Sequence, residues 1–376
     1  MYIPQKQLEN AHKSIAVQKA VIIYGPRRCG KTTLLNKLVA NAGEDYLFVN
    51  GEDISVQEYL ESQSIEKLKS FLGKKKMLII DEAQKIKNIG LNIKLILDNI
   101  PKVKVIASGS SSFDLAKQVG EPLTGRKTTL KMYSLAQLEL SNIQSRVQID
   151  ACLEERLIYG SYPEVILNKN NAKNITYLRE IVNSYLYKDI LELERIRHSD
   201  KITRLLQLLA FQIGKEVSYN ELSTKLGMSK NTIERYLDLL EKSFVVFKLR
   251  GFSRNLRKEI TKNPRFYFYD TGVRNALINN FNSLTMRDDL GMLWENYIII
   301  ERFKKQEYLN INSNNYFWRT YNQKEIDLVE ERKGRLFGYE IKWQNKKEKI
   351  PKEWEETYKN SNYQLITKEN YLDFIT

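Results

Sequence analysis

Residues 19–34, KAVIIYGPRRCGKTTL, constrain this chain more than any other stretch. A β-branched run, Val21, Ile22 and Ile23, ends at Gly25, and Lys31, Thr32 and Thr33 open an amphipathic helix. Between them Gly25, Pro26, Arg27, Arg28, Cys29, Gly30, Lys31 and Thr32 fill every fixed place of G-x-x-x-x-G-K-[ST] in its strand-to-helix context. The two glycines permit backbone angles closed to other residues, so successive N–H groups can face phosphate oxygens at a helix N-terminus. By this reading residues 25–33 cradle the phosphates of ATP. Lys31 reaches the β- and γ-phosphates, and the Thr32 hydroxyl takes a place on magnesium. A glycine-rich turn between strand and helix is the plain alternative.

Apolar runs recur at 45–49, 77–80, 103–107 and 128–132 with helical stretches between them, which predicts an α/β domain with a mostly parallel sheet over residues 1–150. The run MLII leads into Asp81, Glu82, Ala83 and Gln84. Two carboxylates then stand at the C-terminal end of a buried strand, where such sheets bind ligands. Asp81 is expected to hold magnesium or its water, and Glu82 to polarise the water that attacks the γ-phosphate; a helix N-cap is the alternative. Ser108 and Ser110 reach the same sheet edge, either to sense the γ-phosphate or its water or to cap a turn. Arg126, in LTGR, is either a surface arginine or one that stabilises transition-state charge, in its own chain or in a neighbouring subunit of a homo-oligomer. Cys29 could make the loop thiol-sensitive or simply fill it.

Residues 151–200 read as helices at the spacing of Leu153, Leu157 and Ile158 and then Tyr177, Ile181, Val182, Tyr185 and Leu186, broken by GSYPE at 160–164. They are expected to form a helical linker or lid, with Asp189 and Glu192 solvated or paired. Residues 201–262 show the order of a winged helix-turn-helix: short helices, a turn at Gly227 and Met228 with Ser229 as cap, then a hairpin from FVVFKLRGF and PRFYFYD. Lys230, Asn231 and Arg235 open the last of its helices, where such helices meet the major groove, and Arg250, Arg254, Arg257, Lys258 and Lys262 could follow phosphates. Glu234, Asp238 and Glu241 on that helix leave open a protein-docking role.

With 60 Lys and Arg against 46 Asp and Glu, the chain carries a formal charge of +14, which favours an anionic partner such as DNA. Two cysteines, Cys29 and Cys152, and two isolated histidines, His12 and His198, give neither a disulfide framework nor a zinc site. There is no apolar run near 18 residues and no signal pattern, so a cytoplasmic chain off the membrane is expected.

Residues 263–376 begin a further α/β domain, with the helix LGMLWENYIIIERF burying Leu293, Tyr297 and Ile300. Strand alternation puts Glu340 and Lys342 on one face of RLFGYEIKW, with Asp327 on the preceding strand of a hairpin. Asp327 and Glu340 could bind magnesium and activate water against a phosphodiester, with Lys342 steadying the charge. A solvated sheet face with a Glu-Lys pair is the alternative.

Over nearly its full length the chain resembles a prokaryotic family of AAA-type ATPases with a C-terminal domain of formerly unknown function. GPRRCGKTTL, LIIDEAQ, SGSSS with LTGR, GSYPE, the DTG at 270–272, GMLWEN, EIDLV and EIKW carry the likeness, in that order. It implies an additional-strand P-loop ATPase core, a winged helix and a final domain similar to PD-(D/E)XK nucleases, with Lys31, Thr32, Asp81 and Glu82 in the ATPase roles. Glu295, Asp327, Glu340 and Lys342 would take the nuclease places. After LTGR the family shows a Pro-Leu-Ser-Phe-like stretch where this chain has YSLAQLEL. The expected function is ATP hydrolysis linked to DNA; a magnesium-dependent nuclease and an ATP-gated switch on a protein partner are the alternatives.

Overall fold

The computed structural model describes residues 2–40, 43, 45–110, 123–194, 199–254, 263–320, 322–344 and 350–376. The chain forms two compact units, Met1–Leu135 with Lys242–Phe244, and Ala136–Glu241 with Val245–Thr376.

Among the described residues the first unit holds a five-stranded sheet of β1 (Ala20–Tyr24), β2 (Tyr46–Asn50), β3 (Met77–Asp81), β4 (Lys104–Gly109) and β5 (Lys127–Lys131). Its order is β2-β3-β4-β1-β5 and every pair is parallel. β1 and β3 are buried along their whole length, which is why both read as unbroken apolar runs. The helix α1 (Lys6–Ser14) and the helix α2 (Lys31–Ala40) pack on the sheet through Leu8, Ala11, Leu34, Leu35 and Leu38. β4 stands between the strand that leads into the glycine loop and the strand that ends in Asp81. This is the additional strand that the resemblance implies.

Among the described residues the second unit holds a six-stranded mixed sheet, β11-β10-β9-β8-β6-β7. The strands are β6 (Val246–Gly251), β7 (Arg265–Phe268), β8 (Asn314–Arg319), β9 (Glu325–Arg332), β10 (Arg335–Ile341) and β11 (Asn362–Ile366). The helix Leu290–Tyr308 buries Leu293, Trp294, Tyr297, Ile298 and Ile300. No helix among the described residues is long and apolar enough to cross a membrane.

Three expected divisions move. The first unit ends at Leu135 rather than 150, because the backbone N–H of Gln137 donates to Glu301 Oε2 at 2.5 Å and Arg156 donates to the Gln137 side chain. The helices Arg146–Tyr159, Pro163–Leu167 and Asn171–Glu194 lie within the second unit rather than forming a separate linker. The division at 262/263 cuts a single sheet. β6 pairs antiparallel with β7 over Val246–Leu249 and parallel with β8 at Arg250 and Gly251. An isolated two-stranded ribbon leaves backbone groups unpaired, and β8 takes them up.

The helices Ser199–Phe211, Tyr219–Leu226 and Lys230–Lys242 precede β6. Gly227 takes φ +57 at the turn, and the Thr232 N–H donates to Ser229 Oγ at 3.2 Å. GSYPE and DTG meet in this unit: the Asp270 carboxylate accepts from the N–H groups of Ser161, Gly272 and Val273 at 2.9, 3.0 and 3.3 Å. Gly160, at φ +75, leaves room for that carboxylate where a Cβ would collide with it.

Candidate functional site

Parallel strands end on one edge, and the C-terminal ends of β1, β3 and β4 bring the glycine loop, Asp81 and Ser108 together there. Lys31 is 4% exposed and curls back into the loop, donating to the carbonyls of Gly25 and Pro26 at 2.9 and 2.8 Å. Gly25 packs so tightly on Met132 that a Cβ would lie 2.5 Å from the Met132 carbonyl oxygen. Gly30 takes φ +103, and the Gln5 amide donates to the Cys29 carbonyl at 2.9 Å. Cys29 is fully buried in the apolar core, so it fills the loop rather than offering its thiol to solvent.

Asp81 is 5% exposed and accepts three hydrogen bonds. Its Oδ2 accepts from the Thr32 hydroxyl at 2.6 Å; its Oδ1 accepts from the Ser108 hydroxyl and, at 3.1 Å, from the Glu82 N–H. Such bonds to an ionised carboxylate are the strong class and fix both partners. Ser108 therefore reaches the sheet edge with its hydroxyl on Asp81, beside the glycine loop. Glu82 does not cap a helix through its side chain. It sits at φ +51, a left-handed conformation that costs about 1 kcal/mol outside glycine. Gly51 makes that possible, since a Cβ there would meet the Glu82 carbonyl oxygen at 2.5 Å. The Glu82 carboxylate accepts from the Gln84 amide at 2.5 Å, and the same amide donates to Ser110 Oγ at 3.0 Å.

A hydroxyl and a carboxylate this close, beside a buried lysine and a helix N-terminus, form a donor set that would suit magnesium. Arg126 lies elsewhere. Its carbonyl accepts from the Ala20 N–H and its side chain pairs with Asp98, so it sits at the N-terminal edge of the sheet. A five-residue strand, about 16 Å, separates it from the loop, which excludes action on the loop of its own chain.

The second unit gathers another expected set. Lys342 Nζ lies 2.6 Å from Glu340 Oε1 and 4.0 Å from Asp327 Oδ2, and Asp327 Oδ2 also accepts the Ile341 N–H at 2.9 Å. Arg265, which the sequence reading missed, stands among them with its side chain 4% exposed, 2.7 Å from Glu325 and 3.8 Å from both Glu295 and Asp327. Its guanidinium also stacks 4.4 Å from the Phe317 ring centroid. Glu295 accepts from the Tyr267 hydroxyl at 2.6 Å; burial and the neighbouring Asp327 carboxylate push it up to about 8. Burial raises Asp327 as well. Among the described residues no group of three or more His, Cys, Asp or Glu side chains could hold a metal ion. The expected pair Asp327 and Glu340 thus meets at Lys342, with Arg265 beside Asp327.

The helix Lys230–Lys242 buries Ile233, Tyr236, Leu237, Leu239 and Leu240 and exposes Lys230, Asn231, Glu234, Arg235 and Asp238. Arg250 and Arg254 are exposed; Arg257, Lys258, Lys262 and His198 lie outside the described residues, as do the side chains of Asp189 and Glu192. Two further residues escaped the sequence reading. Gln84 was visible only as the last letter of DEAQ, and Gln5 lies 24 residues before the carbonyl it holds.

Residues 17–141 match the model of the AAA domain family. Residues 151–284 and 290–373 match two domains of unknown function, DUF8612 and DUF4143. Arg265 falls in the former and the carboxylates around it in the latter. An uncharacterized protein of Mycobacterium tuberculosis is 26% identical over 325 residues, covering 86% of this chain and 70% of the relative. One of Methanocaldococcus jannaschii is 25% identical over 384 residues, covering 93% of this chain and 82% of the relative. Among solved structures, the Walker-type ATPase of Pyrococcus abyssi is 14% identical at TM-score 0.46, covering 73% of this chain and 94% of that one. That likeness is too remote to carry weight. The parallel sheet, the loop and the family match together make residues 17–141 an AAA-type P-loop domain.

Proposed function

We propose that the chain hydrolyses ATP with magnesium at residues 25–33 and that its second unit engages DNA. The observation that carries the first part is the pair Thr32 and Asp81, locked together at 2.6 Å beside Lys31. Backbone N–H groups of the loop would bind the phosphates, and Lys31 would exchange its two carbonyl partners for β- and γ-phosphate oxygens. Thr32, with Asp81 behind it, would hold magnesium, which would supply charge neutralisation there. Glu82 would orient the attacking water and accept its proton, while Gln84 would keep the carboxylate in place. A role for Arg126 would lie in a neighbouring copy of a homo-oligomer.

DNA engagement is supported by the net charge of +14 and by Lys230, Asn231 and Arg235, exposed at the start of the helix Lys230–Lys242, which would act as the recognition helix of a winged fold. A second reading, a switch that gates a protein partner, is favoured by the acidic Glu234 and Asp238 exposed on the same helix. The test is steady-state ATP hydrolysis with and without duplex, single-stranded and branched DNA, with Lys31→Ala as blank. Stimulation by one DNA form supports the DNA reading; a rate indifferent to all three, with no DNA binding at low salt, gives the protein-switch reading the lead.

A further inference from the structure

We infer that Arg265 is the resident cation of the acidic cluster formed by Glu295, Glu325 and Asp327, and that this site takes a guanidinium rather than a divalent metal. The inference is independent of ATP hydrolysis in the first unit.

A magnesium or manganese site needs several anionic or carbonyl oxygens free to turn toward one point. Here Asp327 Oδ2 accepts a backbone hydrogen bond, and each of its oxygens has a cation within 4.0 Å. Oδ2 accepts the Ile341 N–H at 2.9 Å and faces Lys342 at 4.0 Å, and Oδ1 faces Arg265 Nη1 at 3.8 Å. Glu340 has Lys342 at 2.6 Å, Glu325 has Arg265 Nη2 at 2.7 Å, and Glu295 has the Tyr267 hydroxyl at 2.6 Å. Arg265 is well anchored in its place. Its side chain is 4% exposed, Phe317 lies under the guanidinium, and its backbone sits at the start of β7, paired with Leu249 of β6. The guanidinium bonds Glu325 at 2.7 Å while standing 3.8 Å from Glu295 and Asp327, and it cannot be deprotonated to make way for a metal. Displacing it would leave a buried unpaired cation. The strand β7, the helix Leu290–Tyr308 and the strand β9 each bring one party to the cluster, so the guanidinium ties together three elements distant in sequence.

The experiment is Mn2+ binding by electron paramagnetic resonance on the full chain without nucleotide, comparing wild type with the near-isosteric Asp327→Asn. Identical Mn2+ binding by the two proteins is expected. A saturable site in the wild type that Asp327→Asn loses overturns the inference. Thermal unfolding of Arg265→Gln tests the other half: the melting temperature should fall by several degrees or more. A melting temperature equal to that of the wild type would show that the cluster does not depend on its guanidinium.

Discussion

The Thr32 hydroxyl donates to Asp81 Oδ2 at 2.6 Å, joining two residues 49 positions apart in the chain. One ends the glycine loop and the other ends β3, so a single bond fixes the first turn of α2 against the sheet edge. Ser108, from the strand between them, holds the other oxygen of the same carboxylate. The loop is thus braced from two strands before any ligand arrives.

Removing that second brace should show in the metal requirement. Ser108→Ala deletes a hydrogen bond to a charged group, a loss of about 1.5–3 kcal/mol in such settings. We expect the Mg2+ concentration for half-maximal ATP turnover to rise about tenfold or more. A Mg2+ titration of turnover at saturating ATP checks this, and an unchanged midpoint would remove Ser108 from the site.

Gln84 bonds Glu82 at 2.5 Å and Ser110 at 3.0 Å through one amide nitrogen. Gln84→Ala should free the carboxylate to sample unproductive rotamers. The expected effect is a fall in kcat of about tenfold, about 1.4 kcal/mol, with KM for ATP little changed. A rise in KM alone would mean that Gln84 serves binding instead.

Gly160 sits at φ +75 with the Asp270 carboxylate in the space a Cβ would need. Gly160→Ala should break the bond from the Ser161 N–H and destabilise the second unit by about 2 kcal/mol or more, through overpacking and left-handed strain. The midpoint of its urea transition reads this directly; a shift smaller than about 0.5 kcal/mol would contradict the close packing.

Burial and the neighbouring Asp327 carboxylate push Glu295 up to about 8 from an ordinary 4.5. The folded form therefore holds this proton more tightly, and the stability it confers is complete below the ordinary value and lost as pH rises through the folded one. The second unit should weaken between about pH 4.5 and 8, by at most about 1.4 kcal/mol per pH unit. Glu295→Gln should flatten that part of the profile of denaturation against pH. A wild-type profile already flat there would show that the carboxyl is ionised in the folded state.

What could be read from the sequence follows how local the chemistry is. The phosphate loop needs eight consecutive residues, and the Asp81–Glu82 pair needs one buried strand, so both are legible without a fold. That Ser108 bonds Asp81 depends on β4 lying beside β3, which only the sheet order shows. GSYPE and DTG are recognisable as motifs, yet their reason, Asp270 accepting from the Ser161 N–H, spans 109 residues. Arg265 follows a proline at the start of a short strand and carries no motif; its partners Glu325 and Asp327 lie 60 and more residues on. The first boundary slipped to 150 because Gln137 looks like part of the segment leaving β5. Its partner Glu301 lies 164 residues away.

The central claim is ATP hydrolysis at the loop, and the most direct measurement is phosphate release from Mg-ATP by wild type, Lys31→Ala and Glu82→Gln, alongside binding of a fluorescent ATP analogue. Wild type should turn over, and Lys31→Ala should fall by about a hundredfold or more. Glu82→Gln should bind the analogue as wild type does and hydrolyse ATP no faster than Lys31→Ala. Turnover in Lys31→Ala equal to that of wild type would contradict the account.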